Sequence, residues 1–175
     1  MTKIIGIDPG LAATGVAIVQ GEGSRVAGYS FGTIHTSCRL AVAHRLDQIY
    51  LKLFDLLQDE SPDLMVVEDV FSLEKYPISG ITLGKVSGVV LLAGCRTDVP
   101  VVELPVRETK KILTGNGKAT KDQVEKSVRH YLQMTTPIRP AHAADAMALA
   151  LIGLFRYRRP AAKERNPCPL PEQSK

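Results

Sequence analysis

A chain of 175 residues with 45% hydrophobic and 23% charged residues is long enough for one folded domain and too apolar for general disorder. Its net charge of +4 comes from the tail, because the residues from Arg156 onward include six basic and two acidic side chains. The longest uninterrupted apolar run covers residues 88–95, far short of the roughly 18 residues that a membrane span needs.

Hydrophobic periodicity and turn signals predict strands and helices in a mixed order. The first two strands form a hairpin around Pro9-Gly10, and the fourth strand is apolar on both faces, as is typical of a strand between helix layers. This order indicates an α/β fold with a five-stranded mixed sheet and helices on both faces. The predicted strands cover residues 3–8, 14–19, 26–36, 63–70 and 100–104, and the predicted helices cover 40–57, 81–95, 105–113, 120 onward and 141–157.

The same patterns predict one domain over residues 1–157 and a basic, disordered tail over 158–175, where four prolines interrupt mixed charges. The N-terminus enters a strand at once, without the features of a signal peptide. Cys38, Cys95 and Cys168 are scattered and fit free thiols better than a disulfide framework or a zinc site. We therefore expect a cytoplasmic protein without membrane contact.

Acidic residues stand at the ends of two apolar strands, where a carboxylate is costly unless it is paired or bound to a metal. Asp8 ends the first strand, and Glu68-Asp69 ends the fourth. Because successive side chains in a strand face opposite sides, only one of Glu68 and Asp69 can face the same side as Asp8. Simpler explanations remain open, since Asp8 could accept hydrogen bonds from turn amides and the acidic pair could be exposed.

His142 and Asp145 lie three residues apart in the last predicted helix and therefore share one face. His142 falls in the first turn, where the positive end of the helix favours the neutral imidazole that can ligate a metal. Alternatively, Asp145 serves the helix dipole and His142 packs against it. Alanines at 143, 144, 146 and 148 would let this helix approach the sheet closely, which favours a shared site.

Together these side chains could hold two divalent cations roughly 3.5–4 Å apart, an arrangement that supports in-line cleavage of phosphodiesters. Carboxylates favour Mg²⁺, and an added imidazole shifts the preference toward Mn²⁺. We therefore predict two Mg²⁺ ions per site, with Mn²⁺ also supporting activity. The predicted ligands are Asp8, Glu68, His142 and Asp145.

Residues 107–121 form a local basic cluster that suits a phosphate backbone, although a solvated helix face would explain it equally well. Lys121 is unusual, because a cation in the first turn of a helix opposes the helix dipole and a bound phosphate would account for it. The cluster contains one acid, Glu108, and five cations: Arg107, Lys110, Lys111, Lys118 and Lys121.

These residues resemble the RuvC family of bacterial Holliday junction resolvases, which have a ribonuclease H-like fold. The resemblance extends from Ile4 to about Phe155. It rests on four motifs in order: Gly6-Ile7-Asp8-Pro9-Gly10 with Thr14-Gly15, Val67-Glu68-Asp69-Val70-Phe71, Thr114-Gly115-Asn116-Gly117 with Lys121 and Val124, and His142-Ala143-Ala144-Asp145-Ala146.

The resemblance implies a homodimer that binds a four-way DNA junction and nicks two strands symmetrically during recombination and repair. It implies the RuvA–RuvB branch-migration complex as a partner. It also implies that the four predicted metal ligands are the catalytic residues and that Phe71 stacks on junction bases. Lys110 and Lys121 match residues that contact DNA phosphates, and Lys118 completes the predicted substrate-binding set.

The sequence departs from the family pattern in three places. His142 stands where an aspartate is common, and residues 72–77 replace the usual continuation after Phe71. In the segment Gly84-Lys85-Val86-Ser87-Gly88, the basic residue stands at a different position from that usual in the family. We therefore expect a different DNA sequence preference. Gly84 and Gly88 are also a candidate dimer contact, although this helix could equally pack on its own sheet.

Three alternatives to a junction nuclease remain. A non-catalytic junction-binding protein would bind four-way DNA without the metal-dependent nicks that Asp8→Asn should abolish. A ribonuclease of the same fold would cut RNA and would not need Phe71. A sugar-kinase-like phosphotransferase is disfavoured, because 175 residues leave no room for a second nucleotide-binding lobe.

Overall fold

A computed structural model describes residues 1–69 and 77–156, and the side chains at 77 and 78 are not described. The described residues form five strands and five helices in the predicted order. The strands are β1 (Thr2–Asp8), β2 (Ala13–Glu22), β3 (Arg25–His35), β4 (Leu64–Asp69) and β5 (Val101–Pro105). The helices are α1 (Val42–Glu60), α2 (Pro77–Arg96), α3 (Val106–Thr114), α4 (Lys121–Leu132) and α5 (Ala141–Arg156).

The strands make one mixed sheet with the order β3-β2-β1-β4-β5. β1 and β2 pair antiparallel, as the predicted hairpin requires, and β3 continues the antiparallel part. β4 pairs with β1 in parallel, with Ile7 opposite Val67. Because that register continues by one residue, Asp8 and Glu68 end neighbouring strands at the same edge of the sheet.

Two hydrophobic cores cover the two faces of the sheet. On one face, α3, α4 and α5 pack against the side chains of Ile4, Ala17 and Val66. On the other face, α1 and α2 pack against Ile5, Val67 and their neighbours. The alternation of side chains along each strand therefore assigns Asp8 and Glu68 to the α5 face and Asp69 to the opposite face.

Helix α5 lies unusually close to β1 and β2. A Cβ atom at Gly6 would lie 2.1 Å from the backbone oxygen of Ala146, and one at Gly15 would lie 2.0 Å from that of His142. The alanines of α5 were expected to permit such an approach, and glycines on the sheet contribute as much. The close approach brings the first turn of α5 over the ends of β1 and β2.

The predicted order of elements is confirmed, and the errors lie at their ends. Helix α1 begins at Val42 instead of residue 40, and α2 begins at Pro77 instead of residue 81. The capping box of α4 is formed, since Thr120 Oγ1 accepts from Gln123 N and Gln123 Oε1 accepts from Thr120 N. Predictions about Phe71, residues 72–76 and the tail at 158–175 concern residues outside those described.

No helix within the described ranges combines the length and the hydrophobicity that crossing a bilayer requires.

Candidate active site

Asp8 is the most buried acid of the site, with 6% of its surface exposed. Its side chain meets α5 at His142, whose Nδ1 lies 2.6 Å from Asp8 Oδ2. Burial raises the pKa of the Asp8 carboxyl above its usual value, although the hydrogen bond to His142 acts in the opposite direction. The charge of Asp145 also raises it. Asp8 is thus a buried carboxylate held by one imidazole.

Glu68 reaches the same position from β4. Burial raises the pKa of its carboxyl to about 8, with further contributions from the charges of Asp8 and Asp145 and from a hydrogen bond with Asp8. At neutral pH Glu68 therefore retains its proton in the absence of a cation. The prediction that one acid of the 68–69 pair faces Asp8 is confirmed, and that acid is Glu68.

Asp145 completes the acidic group from α5. Lys121 Nζ lies 2.7 Å from Asp145 Oδ2, and this hydrogen bond is the main reason that the pKa of Lys121 is raised. Lys121 stands in the first turn of α4, immediately after the capping residue Thr120. The lysine on α4 therefore offsets part of the negative charge of the acids through its ion pair with Asp145 on α5.

Three carboxyls and one imidazole converge here from three elements, and their chemistry fits hard divalent cations. Burial, and secondarily the charges of the neighbouring acids, raise the pKa values of Asp8 and Glu68. Within the described ranges, however, no three His, Cys, Asp or Glu side chains are arranged to hold a metal ion as they stand. The contacts His142–Asp8 and Lys121–Asp145 engage one oxygen of each carboxylate.

A small cleft of about 180 Å³ opens beside the acids. Glu68 and Asp145 form one side of it, and Lys110 and Lys121 approach from α3 and α4. Val106, Thr109 and Val124 provide the remaining surface. The cleft is thus lined by two acids and two lysines, which suits a phosphodiester held next to bound cations.

The predicted DNA-binding residues do not all lie at this cleft. Lys110 and Lys121 line it, whereas Lys118 lines a separate, larger cleft with Arg107 and Lys111. Sequence reasoning missed Val106 and Thr109 beside the acids and Arg156 in the larger cleft. A helical projection of 106–114 could have placed the first two, but no sequence signal connects Arg156 to residues near 110.

Comparison with known proteins agrees with this geometry. A family model described as "Crossover junction endodeoxyribonuclease RuvC" matches residues 4–153. The chain belongs to the RuvC family. A RuvC protein of Carboxydothermus hydrogenoformans is 40% identical over 154 residues, which cover 88% of this chain and 96% of that protein. One from Syntrophomonas wolfei is 37% identical over 156 residues, which cover 89% and 90% of the two chains.

A solved structure extends the likeness to three dimensions. RuvC of T. thermophilus in complex with a Holliday junction substrate superposes with a TM-score of 0.80 at 29% identity. The match covers 89% of this chain and 94% of that one. The ribonuclease H-like fold expected for RuvC proteins is therefore confirmed, with its five-stranded mixed sheet and helices on both faces.

Proposed function

We propose that this chain resolves four-way DNA junctions by metal-dependent hydrolysis of two phosphodiester bonds. The observation that carries the proposal is the convergence of Asp8, Glu68 and Asp145 on one face of a RuvC fold. Support for the substrate comes from the T. thermophilus relative, which was solved with a Holliday junction. Support for the reaction comes from the shared description of the relatives as crossover junction endodeoxyribonucleases.

Asp8, Glu68, His142 and Asp145 are the proposed ligands of two Mg²⁺ ions, with Mn²⁺ as a substitute. Bound divalent cations supply an activated water and charge stabilisation at the leaving oxygen. The protein's part begins with loss of the Glu68 proton, because a neutral carboxyl is a poor ligand. Lys121, which pairs with Asp145 and lines the cleft, would contact a DNA phosphate there.

Binding of the DNA is proposed to involve Lys110 and Lys121 at the cut, with Lys118 farther away. Phe71 is proposed to stack on junction bases, as the family resemblance implies, although it lies outside the described residues. These lysines contact phosphates, so they position the strand without reading its sequence.

A symmetric pair of nicks requires two sites, and we propose a homodimer that forms through α2. Gly84 and Gly88 are exposed on this helix, and no described atom lies within 4 Å of a Cβ built at either position. Ile81 and Leu92, on the same helix, are 63% and 47% exposed. Two apolar side chains beside two bare glycines allow a second copy to approach closely. Interaction with the RuvA–RuvB complex is proposed from family resemblance alone.

One observation favours a second candidate, a junction-binding protein without catalysis. His142 stands where an aspartate is common in the family, which changes one of the four proposed ligands. A ribonuclease of the same fold is the remaining alternative from the sequence. All three are separated by one experiment.

The experiment incubates the chain with a synthetic mobile junction in Mg²⁺ or Mn²⁺ and resolves the strands on a denaturing gel. We expect paired nicks at symmetric positions, which Asp8→Asn should abolish while junction binding persists. Asp69→Asn is the matched control, because Asp69 faces the opposite side of the sheet and should leave cutting unchanged. Tight binding without nicks in either metal would support the non-catalytic candidate, and cutting of an RNA substrate alone would support the ribonuclease.

A further inference from the structure

The basic residues between 107 and 121 form two groups in the structure, separated by α3. Lys110 and Lys121 line the small cleft beside the acids. Arg107, Lys111 and Lys118 line a larger cleft of about 850 Å³ on the adjacent side of the helix. The separation follows from helical geometry, because consecutive residues such as Lys110 and Lys111 point about 100° apart around the axis. The larger cleft is therefore distinct from the candidate active site.

A fourth cation enters the larger cleft from the other end of the chain. Arg156 ends α5, and its Nη1 lies 2.6 Å from Oε1 of Glu108 on α3. Glu108 is the single acid among the described residues that line the cleft. Because the two side chains are 52% and 41% exposed, their ion pair contributes little to stability. The cleft thus carries four cations against one carboxylate, a net excess of positive charge among the described lining residues.

Hydrogen bonds and close packing order the loop between α3 and α4, which carries Lys118 and contacts Arg107. Asn116 Oδ1 accepts from Lys118 N at 2.9 Å, and Thr114 Oγ1 accepts from Asn116 N at 3.1 Å. Gly117 packs against Arg107, whose Cγ would lie 3.1 Å from a Cβ atom at that position. These contacts order the backbone at Lys118 and the base of the Arg107 side chain, which reduces the entropy lost when the cleft binds a ligand.

We propose that this second cleft, the arm cleft (Arg107, Lys111, Lys118 and Arg156), binds the sugar–phosphate backbone of the duplex arm next to the cut. The inference rests on the proposed junction function and deepens it by assigning a DNA contact outside the acidic site. Guanidinium groups pair with phosphate oxygens in a two-pronged geometry, and ammonium groups add point charges.

The side chains of the arm cleft favour contact with the DNA sugar–phosphate backbone over contact with the bases. None of the described residues that line it is aromatic, so it offers no surface on which bases could stack. The two clefts lie on adjacent sides of α3, so a DNA backbone that leaves the acidic site can cross this helix into the arm cleft. Contacts of this kind set the orientation of an arm and carry no sequence information.

The test is equilibrium binding of the full chain to a synthetic four-way junction, without divalent metal, over a range of salt concentrations. Each lost phosphate contact lowers the slope of log K against log salt by roughly 1. We therefore expect Lys111→Ala to lower that slope by about 1, and Arg107→Ala/Lys111→Ala to lower it by about 2 and weaken binding about tenfold.

Two further variants sharpen the test. Lys52→Ala makes the same change of charge on an exposed position of α1, on the other face of the sheet, and should bind the junction as the wild type does. Glu108→Gln removes the acid from the arm cleft and should tighten binding severalfold, because Arg156 is then free for phosphate.

An unchanged slope for Arg107→Ala/Lys111→Ala would overturn the proposal and leave the cleft to another partner, such as an acidic protein surface. Weaker binding by Glu108→Gln would also overturn it. The proposed nuclease function is read separately, from metal-dependent cutting by the wild type. If the wild type does not cut, the salt slopes of binding still test the arm cleft. If the slopes do not change, the proposed nuclease function is unaffected.

Discussion

At the scale of single residues, the negative charge of the site is reduced by neighbouring side chains and by protonation. Asp8 takes a hydrogen bond from His142, Asp145 takes one from Lys121, and Glu68 retains its proton. Each of these arrangements disfavours the exposed negative charge that metal binding requires. If a divalent cation binds here as proposed, Glu68 must first lose its proton, so the affinity would depend on pH.

The first prediction concerns Glu68→Gln. The pKa of Glu68 rises from 4.5 to about 8 on folding, so the folded state binds more protons than the unfolded state across that range. The stability of the metal-free protein should therefore fall as pH rises from about 4.5 to about 8. Glu68→Gln removes this loss and should raise the free energy of unfolding at pH 8 by up to about 4 kcal/mol, because each pKa unit corresponds to about 1.4 kcal/mol.

Thermal unfolding in a chelator at several pH values measures this effect. The same variant should lose junction cutting by at least about 100-fold, because an amide is a weak metal ligand. Added Mg²⁺ should stabilise the wild type more than the variant at pH 8. A variant that is less stable than the wild type at pH 8 would contradict the assignment of the raised pKa.

At the scale of elements, the contact of α5 with β1 and β2 brings the site together. Gly6 and Gly15 leave no room for a side chain beneath α5, so the backbones of helix and strand touch. This contact sets the height of His142 and Asp145 above Asp8. Packing and function are therefore linked through two glycines that carry no chemistry of their own.

The second prediction concerns Gly6→Ala. Its Cβ would lie 2.1 Å from the backbone oxygen of Ala146, and backbone can move only if α5 shifts. We expect the free energy of unfolding to fall by about 3 kcal/mol, measured by denaturant titration. Gly32→Ala on β3 is the matched control, since no atom lies within 4 Å of its added Cβ. That control should change stability by less than about 1 kcal/mol, and equal losses in both variants would contradict the close contact.

At the scale of the whole molecule, the mixed sheet places two functional surfaces on opposite sides. The parallel pairing of β1 with β4 brings Asp8 and Glu68 to one edge, beneath α5. Helix α2 covers the other face and exposes its glycines away from the sheet. A dimer formed through α2 would therefore leave both acidic sites open to DNA.

The third prediction concerns Gly88→Leu. Among the residues that the structure describes, no atom lies within 4 Å of a Cβ at this position. Leucine also favours helix by roughly 1 kcal/mol over glycine, so the folded monomer should not be destabilised. A bulky side chain should instead prevent close approach of a second copy. Sedimentation should show a shift from dimer to monomer, with Lys52→Leu on α1 as the control that remains dimeric. An unchanged dimer would exclude α2 as the interface.

The sequence alone determined the order of elements, the α/β class and the acids that end β1 and β4. These are local consequences of hydrophobic periodicity, and a carboxylate at the end of a buried strand is informative wherever the strand lies. Strand alternation was also sufficient to limit the choice to one of Glu68 and Asp69. The capping box at Thr120 was readable for the same reason, since all of its atoms lie within four residues.

Only the tertiary structure decided which charges meet. Lys121 and Asp145 lie 24 positions apart, and Glu108 and Arg156 lie 48 apart. Periodicity carries no information on such pairs, because it gives the face of an element and not the neighbour of that face. The structure therefore divided one basic stretch into two clefts and showed Lys121 paired with an acid. The packing of α3, α4 and α5 on one face of the sheet brings these charged side chains together in two clefts.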